Sequence, residues 1–290
     1  MNLRSGCGSM PGMKTSPSSS RTFTRRQALR VTAAACAAPL VVPASVLGRG
    51  ERPAPSERIV MAAIGLGGRG TSDLGWLLGQ PEVQFTAVCD VRRGQRDAAK
   101  RQVDQHYGNA DCATYRDRRE LLTAHPGLDA VLIATGDRWH APASVRCMEA
   151  GLDVYCEKPG TMSVAEGRAV VDTARRYGRV FQTGTQRLSE PNFIVATEWA
   201  RTGRLGELKT VRAHLWPRVT DVTHNEWLPE QPAPDADELD WDLWLGPSPR
   251  RPYNPGYLGG CGAWGVYWDL AAGVAGWGSH TFVQCQFAAG

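Results

Sequence analysis

Between residues 58 and 183, short apolar runs alternate with longer stretches whose apolar side chains recur at helical spacing. Residues 58–64, 83–89, 130–134, 153–156 and 180–183 have strand length, and 130–134 (Ala-Val-Leu-Ile-Ala) contains no polar position, as expected of a strand covered on both faces. Leu74, Leu77 and Leu78 keep the i, i+3, i+4 stripe of a helix. Residues 93–105 read as a helix with a polar outer face, 118–124 as a short helix capped by Asp117, and 142–150 and 163–177 as two more. Strands separated by helices at this spacing predict a doubly wound parallel α/β sheet, whose ligands bind beyond the carboxyl ends of the strands. Past Arg187 the texture changes. Residues 193–202 suggest one more helix, 208–215 alternate like an antiparallel strand, and 216–257 are rich in Pro, Trp and Asp.

Composition adds little to this picture until it is divided along the chain. The 290 residues are 42% hydrophobic, enough for a core, and carry a formal charge of +4. Six of the 33 basic side chains (Arg4, Lys14, Arg21, Arg25, Arg26, Arg30) fall before residue 45, where no acidic residue occurs; the remaining 27 face 29 acidic residues. The remainder therefore lacks the concentrated basic face of a nucleic-acid binder. Thr24-Arg25-Arg26-Gln27-Ala28-Leu29-Arg30 precedes a mildly apolar segment and the small-residue site Val42-Pro43-Ala44, which together resemble a twin-arginine export signal over residues 1–44. The expected localisation is periplasmic, with 45–56 as a linker and no membrane association after the signal is removed. The eight cysteines are scattered without a CxxC pair, so neither a zinc site nor an obligatory disulfide framework is expected.

Candidate chemistry begins where the first apolar run meets glycines. In Gly65-Leu66-Gly67-Gly68-Arg69-Gly70, the glycines at 65, 67 and 70 fit GxGxxG: one for the tight turn, one for close approach to a pyrophosphate, one for helix packing on strand. A phosphate held there meets the free N–H groups and positive dipole end of a helix. Asp90 ends the second run, 25 residues after Gly65, where a carboxylate accepts from the adenosine ribose hydroxyls and favours NAD over NADP. Arg92 and Arg93 follow it, keeping NADP as the alternative. Thr135, Glu157 and Gln186 stand at the ends of later runs, on the same expected rim.

With these residues in place, the chain resembles the Gfo/Idh/MocA oxidoreductases over residues 57–290. The resemblance is carried by an ordered set: GLGGRG at 65–70, CDV at 89–91, ATGDRWHA at 134–141, EKP at 157–159, GTQR at 184–187, WDLWLGP at 241–247 and GSH at 278–280. It implies a dinucleotide-binding Rossmann domain (57–187) followed by an α+β open-sheet domain (188–290) that covers the nicotinamide and mediates oligomerisation. It also implies that Lys158 lies beside the nicotinamide and the reacting carbon of a sugar, polyol or glycoside, where a base must take a hydroxyl proton. His280 assists, His140 faces the cofactor, and Gln186, Arg187 and Trp139 contact substrate hydroxyls or the cofactor ribose. The expected cofactor set is thus Gly65, Leu66, Gly67, Gly68, Arg69, Gly70, Asp90, Thr135, His140, Glu157, Lys158 and Gln186.

Two departures from the family pattern matter. The family carries an aspartate four residues before the histidine and another three after it; Gly276 and Val283 stand there instead. Asp269 is the nearby carboxylate expected to compensate. The sequence also stops at Gly290, shortly after GSH, so the second sheet is expected to be incomplete. Three functions follow: an NAD-dependent oxidoreductase of carbohydrates, a redox-neutral NAD-dependent glycosidase, or a nucleotide-binding protein with impaired catalysis.

Overall fold

A computed structural model describes residues 44–48, 52–215 and 226–290. All but the last residue of the expected signal, and residues 216–225 of the Trp/Pro-rich stretch, lie outside the described residues. Six parallel strands form the sheet: β1 (Ile59–Ile64), β2 (Val83–Cys89), β3 (Ala113–Tyr115), β4 (Ala130–Ile133), β5 (Asp153–Glu157) and β6 (Phe181–Gly184), in the spatial order β3-β2-β1-β4-β5-β6. The order reverses between β1 and β4, which creates the crevice where ligands of such sheets bind. Helices α1 (Gly68–Leu78), α2 (Arg93–Tyr107), α3 (Arg118–Ala124), α4 (Asp137–Glu149) and α5 (Val164–Tyr177) make the crossovers.

Strand alternation explains the two cores. Ala62, Ile64, Val131, Ile133, Val154 and Cys156 point to the face covered by α3, α4 and α5, where Leu121, Cys147, Met148 and Val170 complete the packing. Met61, Ala63, Phe85, Val88 and Leu132 point the other way, onto Leu74 and Leu78 of α1 and Val103 of α2. Both faces are apolar because both are covered. Local capping fixes where helices begin: the Asp117 carboxylate accepts from Arg119 N–H at 2.8 Å and the Ser163 hydroxyl from Glu166 N–H at 3.2 Å. Helix α4 starts at Asp137, five residues earlier than periodicity suggests, and runs through Pro142, whose missing N–H leaves the Arg138 carbonyl without its helical donor.

The segment after Gly184 differs from expectation. Helix α6 (Pro191–Arg201) forms, but residues 208–215 have no regular structure and are mostly exposed; no strand follows Gly184 among the described residues. An alternating segment needs a partner ladder to become a strand, and no described segment supplies one. Short helices α7 (Trp241–Leu245) and α8 (Cys261–Trp264) and the long α9 (Ala275–Ala289) complete the chain, and GSH lies within α9 rather than in a turn. Leu245, Tyr257, Tyr267 and Leu270 form a small third core with Trp241, Trp244 and Trp264 packed against it. No disulfide joins the six described cysteines. No described helix is long and apolar enough to cross a membrane.

Candidate active site

The glycine loop turns sharply at Gly65, whose φ of +84° is one that side chains other than hydrogen rarely adopt, and a Cβ there meets the Thr135 backbone N at 2.6 Å. Gly70 is as constrained, since a Cβ would run into the Gly65 carbonyl. Gly67 and Gly68 face open space, with nothing within 4 Å of an added Cβ. They border a cavity of about 450 Å³ at the start of α1, whose N-cap, Gly67, offers no side chain to satisfy the first N–H groups. An open concavity at an uncapped helix N-terminus, walled by glycine backbone, fits a pyrophosphate.

The same cavity collects Gly65, Gly67, Gly68, Arg69, Asp90, Thr135 and Trp139. Leu66 is fully buried and contributes its N–H, which donates to Asp90 Oδ2 at 2.6 Å, while Arg92 N–H donates to Oδ1 at 2.8 Å. Those bonds tie the end of β2 to the glycine loop. Burial pushes Asp90 above the usual carboxylate range and the two N–H groups oppose it. Arg92, Arg116 and Arg118 border the same cavity.

The opposite wall comes from far along the chain: Leu243, Trp244, Leu258–Gly262 and Trp264. Arg138, buried on α4, holds this wall, its Nε donating at 3.0 Å to the Trp244 and Leu245 carbonyls that end α7 while its guanidinium stacks 4.0 Å from the Trp244 ring. Burial lowers the Arg138 guanidinium to about 9, partly offset by Asp137. Trp139 Nε1 donates to the Leu243 carbonyl at 2.8 Å, so this side chain anchors the wall as well as bordering the cavity. Leu239 makes an antiparallel bridge to Arg92, and Arg93 and Arg116 pair with Asp237.

A second group of side chains meets at the end of β5. Glu157 is buried and accepts from Arg69 Nε at 3.0 Å, and Arg69 is the residue shared with the cavity. With its amide oxygen turned toward Arg69, Gln186 accepts from Arg69 Nη1 at 3.2 Å and donates to the Gly184 carbonyl at 2.9 Å; turned the other way, its amide nitrogen lies 3.5 Å from Glu157 Oε1. Lys158 Nζ donates to the Gly276 carbonyl of α9 at 3.2 Å and lies 6.0 Å from the centre of the Trp277 ring. Arg187 covers the same ring at 5.2 Å. His280, one turn on from Gly276, is buried, with Nδ1 unpartnered and its ring 5.9 Å from Trp277. Burial, then the positive charges of Lys158, Arg187 and Arg69, push His280 down to about 4. It is therefore a neutral imidazole at pH 7, able to accept or donate one hydrogen bond.

Two expected residues sit elsewhere. His140 is buried between two backbone carbonyls, Nδ1 at 2.6 Å from Pro159 O and Nε2 at 3.1 Å from Thr135 O, and so joins the ends of β4 and β5 without bordering the cavity. Asp269 is paired with Arg251, which is buried beneath Trp227, Tyr257 and Tyr267; its carboxylate is committed there and is not a substitute for the aspartate missing at Gly276. Two further buried carboxyl groups are Asp137, accepting from Ala272 N–H at 3.0 Å, and Asp73 of α1. Burial raises Asp137, while the Ala272 N–H, His140 and Lys158 oppose the rise. Asp73 carries a readable signal: it is a carboxylate inside the Gly70, Leu74, Leu78 stripe.

Comparison with known proteins agrees with this geometry. A family model described as an oxidoreductase family with an NAD-binding Rossmann fold matches residues 59–185, and the model for the same family's C-terminal alpha/beta domain matches residues 216–290. A glycosyl hydrolase family 109 protein from Stenotrophomonas maltophilia is 27% identical over 213 residues, 72% of this chain and 45% of that protein. D-glucoside 3-dehydrogenase from Escherichia coli is 33% identical over 133 residues, 42% of this chain and 36% of that protein. Among solved structures, myo-inositol 2-dehydrogenase from Lactobacillus plantarum aligns with a TM-score of 0.47 and 24% identity, covering 52% of this chain and 43% of that one. The chain thus spans less than half the length of these curated relatives.

Proposed function

Because the chain belongs to the Gfo/Idh/MocA oxidoreductase family and carries its NAD-binding Rossmann domain, we propose that it oxidises a secondary alcohol of a sugar, polyol or glycoside. One observation carries this reading: Arg69 borders the glycine-loop cavity and pairs with Glu157, so the cofactor cavity is joined directly to the Lys158–His280 group. Gly67, Gly68 and the first N–H groups of α1 would hold the pyrophosphate, Asp90 the adenosine ribose, and Thr135 and Arg69 the nicotinamide half. NAD, when bound, supplies the two-electron acceptor.

The chain's own residues do the rest. Lys158 takes the hydroxyl proton as the carbon is oxidised, and the Gly276 carbonyl and Trp277 ring orient its amine. Neutral His280 binds a substrate hydroxyl without adding charge beside Lys158 and Arg187. Trp277 offers an amphipathic face to a sugar ring. The test is to incubate the purified chain with NAD and a panel of sugars, inositols and glycosides, following NADH absorbance. NADH formation that Lys158→Met abolishes is expected; equal activity in that variant would sink the assignment.

The glycosyl hydrolase relatives favour a second reading, a redox-neutral glycosidase that oxidises its sugar transiently, eliminates the aglycone and reduces the product. Hydrolysis of a nitrophenyl glycoside with no net NADH selects it. Firm NAD binding with negligible turnover, unchanged in Gly276→Asp, selects the binding-only reading. We also propose export through the twin-arginine route, supported by Arg25-Arg26 and the apolar segment after them. Expression with its first 44 residues should yield a periplasmic product whose mass lacks them, and replacing Arg25 and Arg26 by lysine should leave it in the cytoplasm.

A further inference from the structure

Helix α1 carries a carboxyl group among its buried positions. The Asp73 side chain is 3% exposed, and its Oδ1 accepts from Arg69 Nη2 at 2.9 Å. Arg69 Nε is 3.0 Å from Glu157 Oε1, and the Glu157 side chain is 4% exposed. Two buried carboxyl groups therefore share one guanidinium. Asp73 Oδ2 is buried with no partner in this arrangement. As a carboxylate oxygen it would be a charge-bearing acceptor stranded away from water, which is costly; as a protonated oxygen it becomes a donor, and Glu157 is the acceptor within its reach.

We propose that Asp73 is held as a neutral carboxylic acid that donates through Oδ2 to Glu157, and that this shared proton keeps Arg69 and Glu157 in place where the cofactor cavity meets Lys158. Asp73 is then a positioning residue. The groups that face it are Arg69 from α1 itself and Glu157 and the Tyr155 phenol from β5. Burial, then the negative charge of Glu157, push Asp73 up to about 7 against the pull of Arg69. Above that pH two anions compete for one guanidinium, and Arg69 is drawn between them at the edge of the cavity. The proton itself is a property of the cofactor-free protein, whereas its effect on cofactor binding rests on the function proposed above.

Infrared difference spectra of the cofactor-free full chain between about pH 5 and about pH 9 test the proton directly. A protonated-carboxyl C=O band is expected to disappear with a midpoint near 7, to be absent in Asp73→Asn, and to move to lower pH in Glu157→Gln, which keeps the test open should the first variant fail to fold. No such band in the wild type, or its persistence in Asp73→Asn, overturns the proposal. Titration with NAD tests the positioning: wild-type affinity should weaken by up to about tenfold per pH unit above 7, whereas Asp73→Asn, which keeps a donor toward Glu157, should hold a constant affinity. A titrating band with pH-independent NAD affinity in the wild type overturns the positioning role, and no NAD binding at any pH overturns the cofactor reading while the band still decides the proton.

Discussion

The amine of Lys158 donates to a backbone carbonyl and lies near an aromatic face, and no carboxylate forms an ion pair with it among the described residues, which leaves it facing the site rather than a fixed partner. Lys158→Met preserves much of the stem and removes the proton acceptor. It should lower kcat/KM by roughly 10²–10⁴ with NAD affinity nearly unchanged, read by NADH absorbance and by fluorescence titration with NAD. Gly276 lies one turn before His280 on α9, and an added Cβ there meets nothing within 4 Å. Gly276→Asp is thus sterically free to place a carboxylate beside Lys158, and on the oxidoreductase reading should raise turnover. His280 sets a sign for acid stability. The unfolded chain takes up a proton near 6.5, which the folded imidazole refuses until about 4. Its stabilising share is complete above 6.5 and is lost as pH falls toward 4. Urea midpoints at about pH 4.5 and about pH 7.5 should differ less in His280→Gln than in the wild type; an equal difference would remove His280 from the acid limb.

At the scale of elements, one buried arginine is a main anchor of the cavity wall opposite the glycine loop. Arg138→Leu leaves the carbonyls that end α7 without their charged donor, a loss of about 1.5–3 kcal/mol for hydrogen bonds of this kind. The expected outcome is faster NAD release and faster proteolysis within residues 239–264, measured by stopped-flow fluorescence and mass spectrometry of the fragments. What was legible in the sequence follows the range of the forces involved. The cap Asp117 and the run 130–134 act on their own neighbours, so spacing alone identifies them. Strand β3 was missed because three residues become a strand only when β2 offers an edge. Residues 208–215 failed in the opposite direction, since alternation without a partner forms nothing. The carboxylate of Asp73 shows in its stripe, but its partnership does not: Glu157 is 84 positions away, and only the fold makes the two a pair.

For the whole molecule, residues 57–187 were readable as a doubly wound sheet because the five strands other than β3 and the crossover helices each carry their own local pattern. The way residues 239–264 lie along the cofactor cavity was not, because it depends on Arg138, Trp139 and Arg116 meeting groups more than a hundred positions later. Ligand linkage provides a global test of that cavity. NAD at about 100 times its Kd should add about 2.7 kcal/mol to stability, which for a protein of this size raises Tm by roughly 5–10 °C. A Tm unmoved by millimolar NAD would leave the cavity without its assigned ligand. The two walls also set a timetable. At roughly 5–20 residues per second, the ~190 residues separating the Gly65 turn from the wall at 258–262 take about 10–40 s to synthesise. During that interval the glycine loop can fold with its sheet but has nothing opposite it. The second wall can therefore close over the nucleotide only after residue 264 has been synthesised, so enclosure is a later and separate step from the folding of the glycine loop.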